Sequence, residues 1–274
     1  MKVRNQILRN IYLKNIAKFV INPSSYLLPR FVLNLADPER ALVDKFIFDL
    51  DCVTNSELIL DAGAGSFRYK EILIQKGYMY ESQDFENVFD ETARGLHTYI
   101  SDIQNIPVAS QRYDAIICTQ VLEHVTNPQK VFNELSRILK PGGTLHLTTN
   151  FIFPIHGAPY DYFRFTNYGL YYLSDESGFT DIQITSRGGY FSLCAKLISD
   201  LPAILKSWLF YGGANLHGQR DFSIKNPLLV TIMIPSIFLS DVFCTILASA
   251  INLLDPLDSR KRFTLGYQLS AKRK

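Results

Sequence analysis

The run Leu58-Ile59-Leu60-Asp61-Ala62-Gly63-Ala64-Gly65-Ser66-Phe67 constrains the fold more than any other part of this 274-residue chain. An apolar strand ends there in an acid, and two glycines follow with one residue between them. Glycine reaches backbone angles closed to other residues and lets the main chain approach a ligand closely. A parallel α/β sheet holds a nucleotide-like cofactor at such a turn. A nicotinamide-binding turn would carry a third Gly or Ala at position 68 and bring a pyrophosphate to the next helix. Position 68 is Arg. Asp61 would also lie close to the dinucleotide's negative charge, so the turn better suits a cofactor that lacks phosphate and carries a cation.

From Glu57 to Thr149 short β-rich runs alternate with helical ones, the pattern of a parallel sheet covered on both faces. Strands are expected at 57–61, 78–83, 97–101, 113–118 and 144–149, with a sixth at 182–186 and a seventh at 263–271. Asn127 is a natural cap with Pro128 at the first helical position, and Val131, Phe132, Leu135, Ile138 and Leu139 fall on one helical face. Pro141-Gly142-Gly143 should end that helix and turn the chain into the next strand. A helix over about 168–177 is expected between an Asn167 cap and Gly178.

The fold class is therefore α/β: a doubly wound, seven-stranded, mostly parallel sheet, with an N-terminal helical cap and a helical apolar insertion before the last strand. The expected division is 1–50 for the cap, 51–190 with 260–274 for the sheet domain, and 191–259 for the insertion. Leu228 to Leu254 is almost wholly apolar but carries Pro235 and Asp241, and Asp241 leaves two uncharged runs of thirteen residues. A bilayer span needs roughly twenty. A buried hairpin, a shallow or re-entrant membrane element and a single span all stay open.

The net charge of +2 gives no footprint for nucleic acid, and none is expected as a partner. Cys52, Cys118, Cys194 and Cys244 show no paired spacing, so neither a zinc site nor a disulfide framework is expected, and the metal reading is none. Lys2, Arg4, Arg9, Lys14 and Lys18 interrupt the first apolar residues, which argues against a signal peptide and for a cytoplasmic location. The first 36 residues hold those bases and Arg30 but no acid. Such a segment either caps the core or lies on an anionic membrane surface. Peripheral contact at the inner membrane face, through 1–36 and 227–254, follows from the second choice.

Leu58–Phe67, Asp84, Asp102, Tyr113–Val125 and Leu139-Lys140-Pro141-Gly142-Gly143 together resemble the class I S-adenosylmethionine-dependent methyltransferases in order and spacing. The resemblance implies S-adenosylmethionine as cofactor. It implies that Gly63 and Gly65 form the cofactor loop, that Asp61 orients this loop near the methionyl ammonium, and that Asp84 binds both ribose hydroxyls. It further implies Asp102 at the adenine amino group with Ile103 beside the ring, and Gln120 and Val121 along the methionyl part, facing the acceptor. His124, within Leu122-Glu123-His124-Val125, reads equally as a substrate-facing base or as a structural residue.

The segment Asn150–Thr166 follows the fifth strand, and ligands of open α/β sheets bind outside the carboxyl ends of strands. His156 is the first candidate for general base and Asp161 the second. Arg164 would grip an anionic acceptor, and Tyr160, Tyr162 and Phe163 would stack on a ring or exclude water. Alternatively Asp161 and Arg164 pair and brace the loop. This segment, followed by the apolar insertion, resembles bacterial methyltransferases associated with surface polysaccharides, which implies a saccharide or lipid-linked glycan acceptor. A quinone or other small lipophilic acceptor is the alternative, and a non-catalytic cofactor-fold scaffold is the answer of a different class.

Overall fold

The computed structural model describes residues 22–51, 57–85, 95–211 and 227–274, with the backbone alone described at 206–211 and 227–234. The expected basic segment up to residue 21 lies outside the described residues. In chain order the elements are α1 (Ser24–Leu27), α2 (Arg30–Ala36), α3 (Pro38–Phe48), β1 (Leu58–Ala62), α4 (Lys70–Gln75), β2 (Met79–Asp84) and β3 (Tyr99–Ile100). Then come β4 (Tyr113–Thr119), a 3-10 turn at Leu122–His124, α5 (Pro128–Ile138), β5 (Leu139–Asn150), α6 (Asn167–Glu176) and β6 (Phe179–Arg187). The chain ends with α7 (Tyr190–Tyr211), α8 (Pro227–Asn252), a 3-10 turn at Asp255–Leu257 and β7 (Gly266–Arg273).

The seven strands lie in the order β3-β2-β1-β4-β5-β7-β6. The first five are parallel; β7 runs antiparallel to both of its neighbours. Strands β1 and β4 are central, and a strand buried on both faces reads as a continuous apolar run. Accordingly Leu60, Ile116 and Cys118 pack with α5 residues Val131, Phe132, Leu135 and Ile138 on one face. Their sequence neighbours Ile59, Ala115 and Ile117 pack with Val43, Ile47, Tyr69 and Leu73 on the other.

The expected helix over 128–139 is α5, and the Asn127 side chain accepts a hydrogen bond from the Lys130 N–H (3.1 Å). Two details differ. Pro141-Gly142-Gly143 lies inside β5 as a register shift opposite Tyr113–Ala115, because β5 already begins at Leu139. The cap of α6 is Thr166, whose hydroxyl accepts from the Gly169 N–H (3.1 Å); Asn167 is the first helical residue.

The chain divides into two compact units, 42–187 with 263–274 and 1–41 with 188–262. The sheet belongs to the first. In the second, α7 and α8 pack together and α2 packs on α8. Small residues permit this, since Ala36, Ala195 and Ala248 form the buried contact and the Ser249 hydroxyl donates to the Val32 carbonyl (2.8 Å). Helix α8 runs through Pro235 without splitting, and Asp241 is buried with its carboxylate accepting the Ser24 N–H at the start of α1 (2.9 Å).

Polarity along α8 is inverted relative to a core helix. Its inward side carries Asp241, Thr245, Ala248 and Ser249 beside Ile237, whereas Leu239 (68% exposed), Phe243 (63%) and Ile246 (50%) face outward. Leu197, Leu201 and Ile204 repeat the outward pattern on α7. Among the described residues, Pro235–Leu257 is long and apolar enough to cross a membrane by length and composition, with mean hydropathy 2.0 and 28% of the window buried.

Candidate active site

The carboxyl ends of β1, β2, β3, β4 and β5 carry the residues singled out from sequence. After β1, Gly63 and Gly65 take φ values of +77° and +51°, where a side chain is strained. A Cβ on Gly63 would strike the Val121 side chain; one on Gly65 would have no atom of the described residues within 4 Å. The loop is pinned from β2, because the Gln83 carbonyl accepts the Gly63 and Ala64 N–H groups (2.9 and 3.0 Å) and an Asp84 carboxylate oxygen accepts that of Gly65 (2.6 Å). The Gly63 position thus requires glycine for packing, and the Gly65 position leaves room for a ligand.

Asp61 is 1% exposed; Tyr80 donates to its Oδ2 (2.9 Å), and Oδ1 has no partner among the described residues. Burial pushes its carboxyl up to about 7, the Tyr80 hydrogen bond opposes this, and the nearby Asp84 charge adds to it. An unsatisfied buried carboxylate oxygen is costly, and a cationic ligand group would satisfy it. The observation fits a cofactor with an ammonium end, as S-adenosylmethionine has.

Asp84 is half-buried at the end of β2, its second oxygen accepting the Phe85 N–H (2.6 Å). Asp102 is exposed and closes a turn on Gln104, whose backbone N–H donates to it (2.8 Å). Ile103 is buried in the main core cluster, so its side chain packs into the sheet's helical layer. Gln120, just past β4, has φ +56°, an uncommon angle for a residue with a side chain. Its amide lies within hydrogen-bond reach of Thr148, Glu123, Asn150 and Arg187.

Beyond β4 the chain makes its 3-10 turn and places Glu123 and His124 under the loop 151–166. Glu123 is fully buried and accepts from the Thr149 hydroxyl (2.8 Å) and the Asn150 amide (2.9 Å), both at the end of β5. Burial pushes its carboxyl above the usual range. His156 returns over it, with Nε2 at 3.9 Å from Glu123 Oε1. The rings of His124 and His156 meet edge to face with centroids 4.7 Å apart. The Nδ1 of His124 bonds the Tyr160 carbonyl (2.7 Å), and that of His156 the Pro154 carbonyl (3.2 Å).

The alternative reading of Asp161 and Arg164 is the one the geometry carries. Arg164 bonds both Asp161 oxygens (2.6 and 2.8 Å) and the carbonyls of Phe153, Pro154 and Phe163. Asp161 also accepts the His156 N–H (2.9 Å). The Arg164 hydrogen bonds, acting against burial and joined by the His156 N–H and the Arg164 charge, hold its carboxyl down to about 2. A carboxylate so stabilised is a poor proton acceptor, and the guanidinium is shared among these contacts, which is the arrangement the bracing alternative describes. Tyr160, Tyr162 and Phe163 stand exposed on that loop.

Sequence reasoning passed over Glu123, Asn150, Arg187 and His97 as site residues. Arg187 is fully buried at the end of β6 and donates to the Thr149 carbonyl (3.0 Å) and Asn150 Oδ1 (3.4 Å). It therefore steadies the residue that holds Glu123. His97 stacks on Phe67 of the glycine loop, centroids 4.5 Å apart, and burial lowers its pKa. The one local signal was the Glu123-His124 pair at a strand's carboxyl end.

Residues 60–147 match the family profile described as a methyltransferase domain. The chain is 28% identical over 153 residues to the ubiquinone biosynthesis O-methyltransferase of Coxiella burnetii (strain RSA 493 / Nine Mile phase I), covering 51% of this chain and 62% of that protein. It is 35% identical over 81 residues to the mitochondrial ubiquinone biosynthesis O-methyltransferase of Dictyostelium discoideum, covering 27% and 25%. The chain thus matches less than two thirds of the length of either relative. In structure it is similar to the methyltransferase solved in complex with the Haloferax volcanii Trm112 methyltransferase activator (TM-score 0.51, 17% identity, 90% of this chain and 98% of that one). It is also similar to the cyclase SpnF (TM-score 0.50, 16% identity, 85% and 80%). These two likenesses are of fold, and a fold hosts more than one chemistry.

Proposed function

We propose that this chain is an S-adenosylmethionine-dependent O-methyltransferase acting on a lipophilic ring with free hydroxyl groups, of the quinone-precursor type. The observation that carries the reading is the convergence, at the carboxyl ends of β1, β2, β4 and β5, of an acidic glycine loop with a Glu123-His124-His156 cluster. When bound, S-adenosylmethionine supplies a methyl group on a sulfonium, which an acceptor oxygen displaces in line. Asp61 Oδ1 would take the ammonium, and Asp84 would use its remaining lone pairs for ribose hydroxyls. Gly65 admits the cofactor backbone-close, and Val121 seals the loop from behind. The imidazoles of His124 and His156 would take the proton that an acceptor hydroxyl must lose.

A ring acceptor is favoured over a saccharide for two reasons. The two relatives named above carry ubiquinone O-methyltransferase names. Exposed Tyr160, Tyr162 and Phe163 also offer flat faces to a ring. The outward apolar sides of α7 and α8 suit lipid contact at the inner membrane face, where an acceptor with an isoprenoid tail would reside.

Transfer of labelled methyl to a prenylated catechol by the full chain tests this. Label in the organic phase, lost with Asp84→Ala, is the expected result. Intact S-adenosylhomocysteine binding without any transfer would favour the scaffold alternative, and label in an aqueous sugar fraction would restore the glycan one.

A further inference from the structure

We infer that Arg187 is a positioning residue for the transfer step: through the side-chain amides of Gln120 and Asn150 it holds the Glu123 carboxylate beneath His156. The four side chains come from the end of β6, the residue after β4, the end of β5 and the 3-10 turn. Arg187, Asn150 and Glu123 are each 2% exposed or less, so the cation, the amide and the carboxylate lie together away from water.

The polarity of the two amides carries the inference. A side-chain amide has an oxygen that only accepts and a nitrogen that only donates, and its hydrogen-bond partners fix which way it lies. Asn150 accepts from the guanidinium on Oδ1 (3.4 Å) and donates from Nδ2 to Glu123 Oε1 (2.9 Å). Gln120 meets complementary partners in the same sense: its oxygen accepts from Arg187 (2.9 Å) and the Thr148 hydroxyl (3.0 Å), and its nitrogen donates to Glu123 Oε1 (3.2 Å). Two amides thus stand side by side between a buried cation and a buried carboxylate, each with its dipole along the field of the pair. In a dry interior such chains polarise one another. Two further features serve the arrangement. A Cβ on Gly266 of β7 would collide with the Thr149 carbonyl and the guanidinium, so glycine there makes room for Arg187. Gln120 takes its φ of +56° at a cost in backbone strain that the pairing of both ends of its amide offsets.

The consequence for transfer rests on the proposed methyltransferase reading. As the acceptor oxygen forms the O–CH3 bond and the S–CH3 bond breaks, the hydroxyl proton passes to His156. The imidazolium so formed has its Nε2 3.9 Å from Glu123 Oε1, and a carboxylate held at that distance favours it. Of the three side chains that donate to Glu123, the Thr149 hydroxyl stands apart and the two amides are tied to Arg187. Without the guanidinium either amide can turn over and present its oxygen to the carboxylate, which then shifts away from His156.

Two measurements on the full chain test this. Denaturant unfolding of Arg187→Met, Glu123→Gln and the double variant reads the bridge independently of activity. Arg187→Met leaves the Glu123 charge buried without its bridge, and Glu123→Gln removes that charge, so the double variant should unfold at a higher midpoint than Arg187→Met alone. Additive losses would overturn the inference. Should Arg187→Met not fold, Gln120→Met at its half-buried position takes its place, and its loss should shrink in the Glu123→Gln chain. The second measurement is kinetic: Arg187→Lys keeps the charge but loses the planar fork that reaches both amides. Its kcat with a prenylated catechol should fall at least about tenfold, with KM and S-adenosylhomocysteine affinity within about twofold of the parent. An unchanged kcat would reduce the bridge to a packing element and overturn the positioning role. A parent chain that binds S-adenosylhomocysteine but transfers no methyl is a failure of the methyltransferase reading, and the unfolding cycle then decides on the bridge alone.

Discussion

Asp61 is asked to stay in a nearly dry place with one oxygen unpartnered among the described residues, and its protonation records the cost. Burial raises its carboxyl to about 7, whereas an unfolded Asp titrates near 3.9. Between about pH 4 and 7 the folded chain holds a proton that the unfolded chain has released, so this group's contribution to ligand-free stability falls as pH rises. A cationic ligand end selects the ionised form. Affinity for S-adenosylhomocysteine should therefore climb from about pH 6 to 8 and then level off, and calorimetry on Asp61→Asn should show a flat, weaker profile. The two glycines divide by mechanism as well. Gly63→Ala strains φ +77° and collides with Val121, and should cost about 1–3 kcal/mol of stability by thermal unfolding. Gly65→Ala meets no atom among the described residues, so its loss should be smaller in stability and larger in cofactor affinity.

At the scale of elements, α5 shows how far local rules reach. Its cap, its Pro128 and its apolar stripe all agree, and its inward residues are fully buried. Asn127→Ala should lose about 1 kcal/mol and Phe132→Ala about 3–5 kcal/mol, both measured by denaturant unfolding. The loop 151–166 obeys no such periodicity. What shapes it is the Asp161–Arg164 pair with its carbonyl contacts, and sequence spacing alone left the pair open between bracing and catalysis. Helix α8 was hard to read for the opposite reason: nearly every position is apolar, so no stripe marks which side faces inward. The structure turns the few small and polar residues inward because they allow helices to approach closely and let Asp241 meet the Ser24 N–H.

For the molecule as a whole, two units with different surface character emerge. The sheet unit keeps its apolar residues in two clusters on either face of the strands. The α7–α8 unit turns Leu197, Leu201, Leu239, Phe243 and Ile246 to the outside, and exposed apolar side chains grouped on one pair of helices are the kind of surface that meets a partner or a membrane. We propose a lipid surface as the occupant. Flotation with vesicles containing anionic lipid should carry the full chain to the top of the gradient, and Leu239→Ser with Phe243→Ser should leave it in the soluble fraction with S-adenosylhomocysteine binding intact. A discrete dimer that those changes dissociate would instead mark the face as a contact between copies of the chain.

Strand and helix periods, caps and the Gly-x-Gly turn are local, and the sequence by itself determined them: an α/β sheet, a glycine turn at the carboxyl end of β1, and α5 within a residue. Two kinds of fact belonged to the tertiary structure. The insertion of β7 between β5 and β6 is a matter of sheet order, which no strand carries within itself. The meeting of Glu123 and His124 with His156, Thr149, Asn150 and Arg187 depends on the registers of β4 with β5, of β5 with β7 and of β7 with β6. Register is fixed by packing across a whole sheet, so residues far apart in the chain become one site only after the sheet has formed.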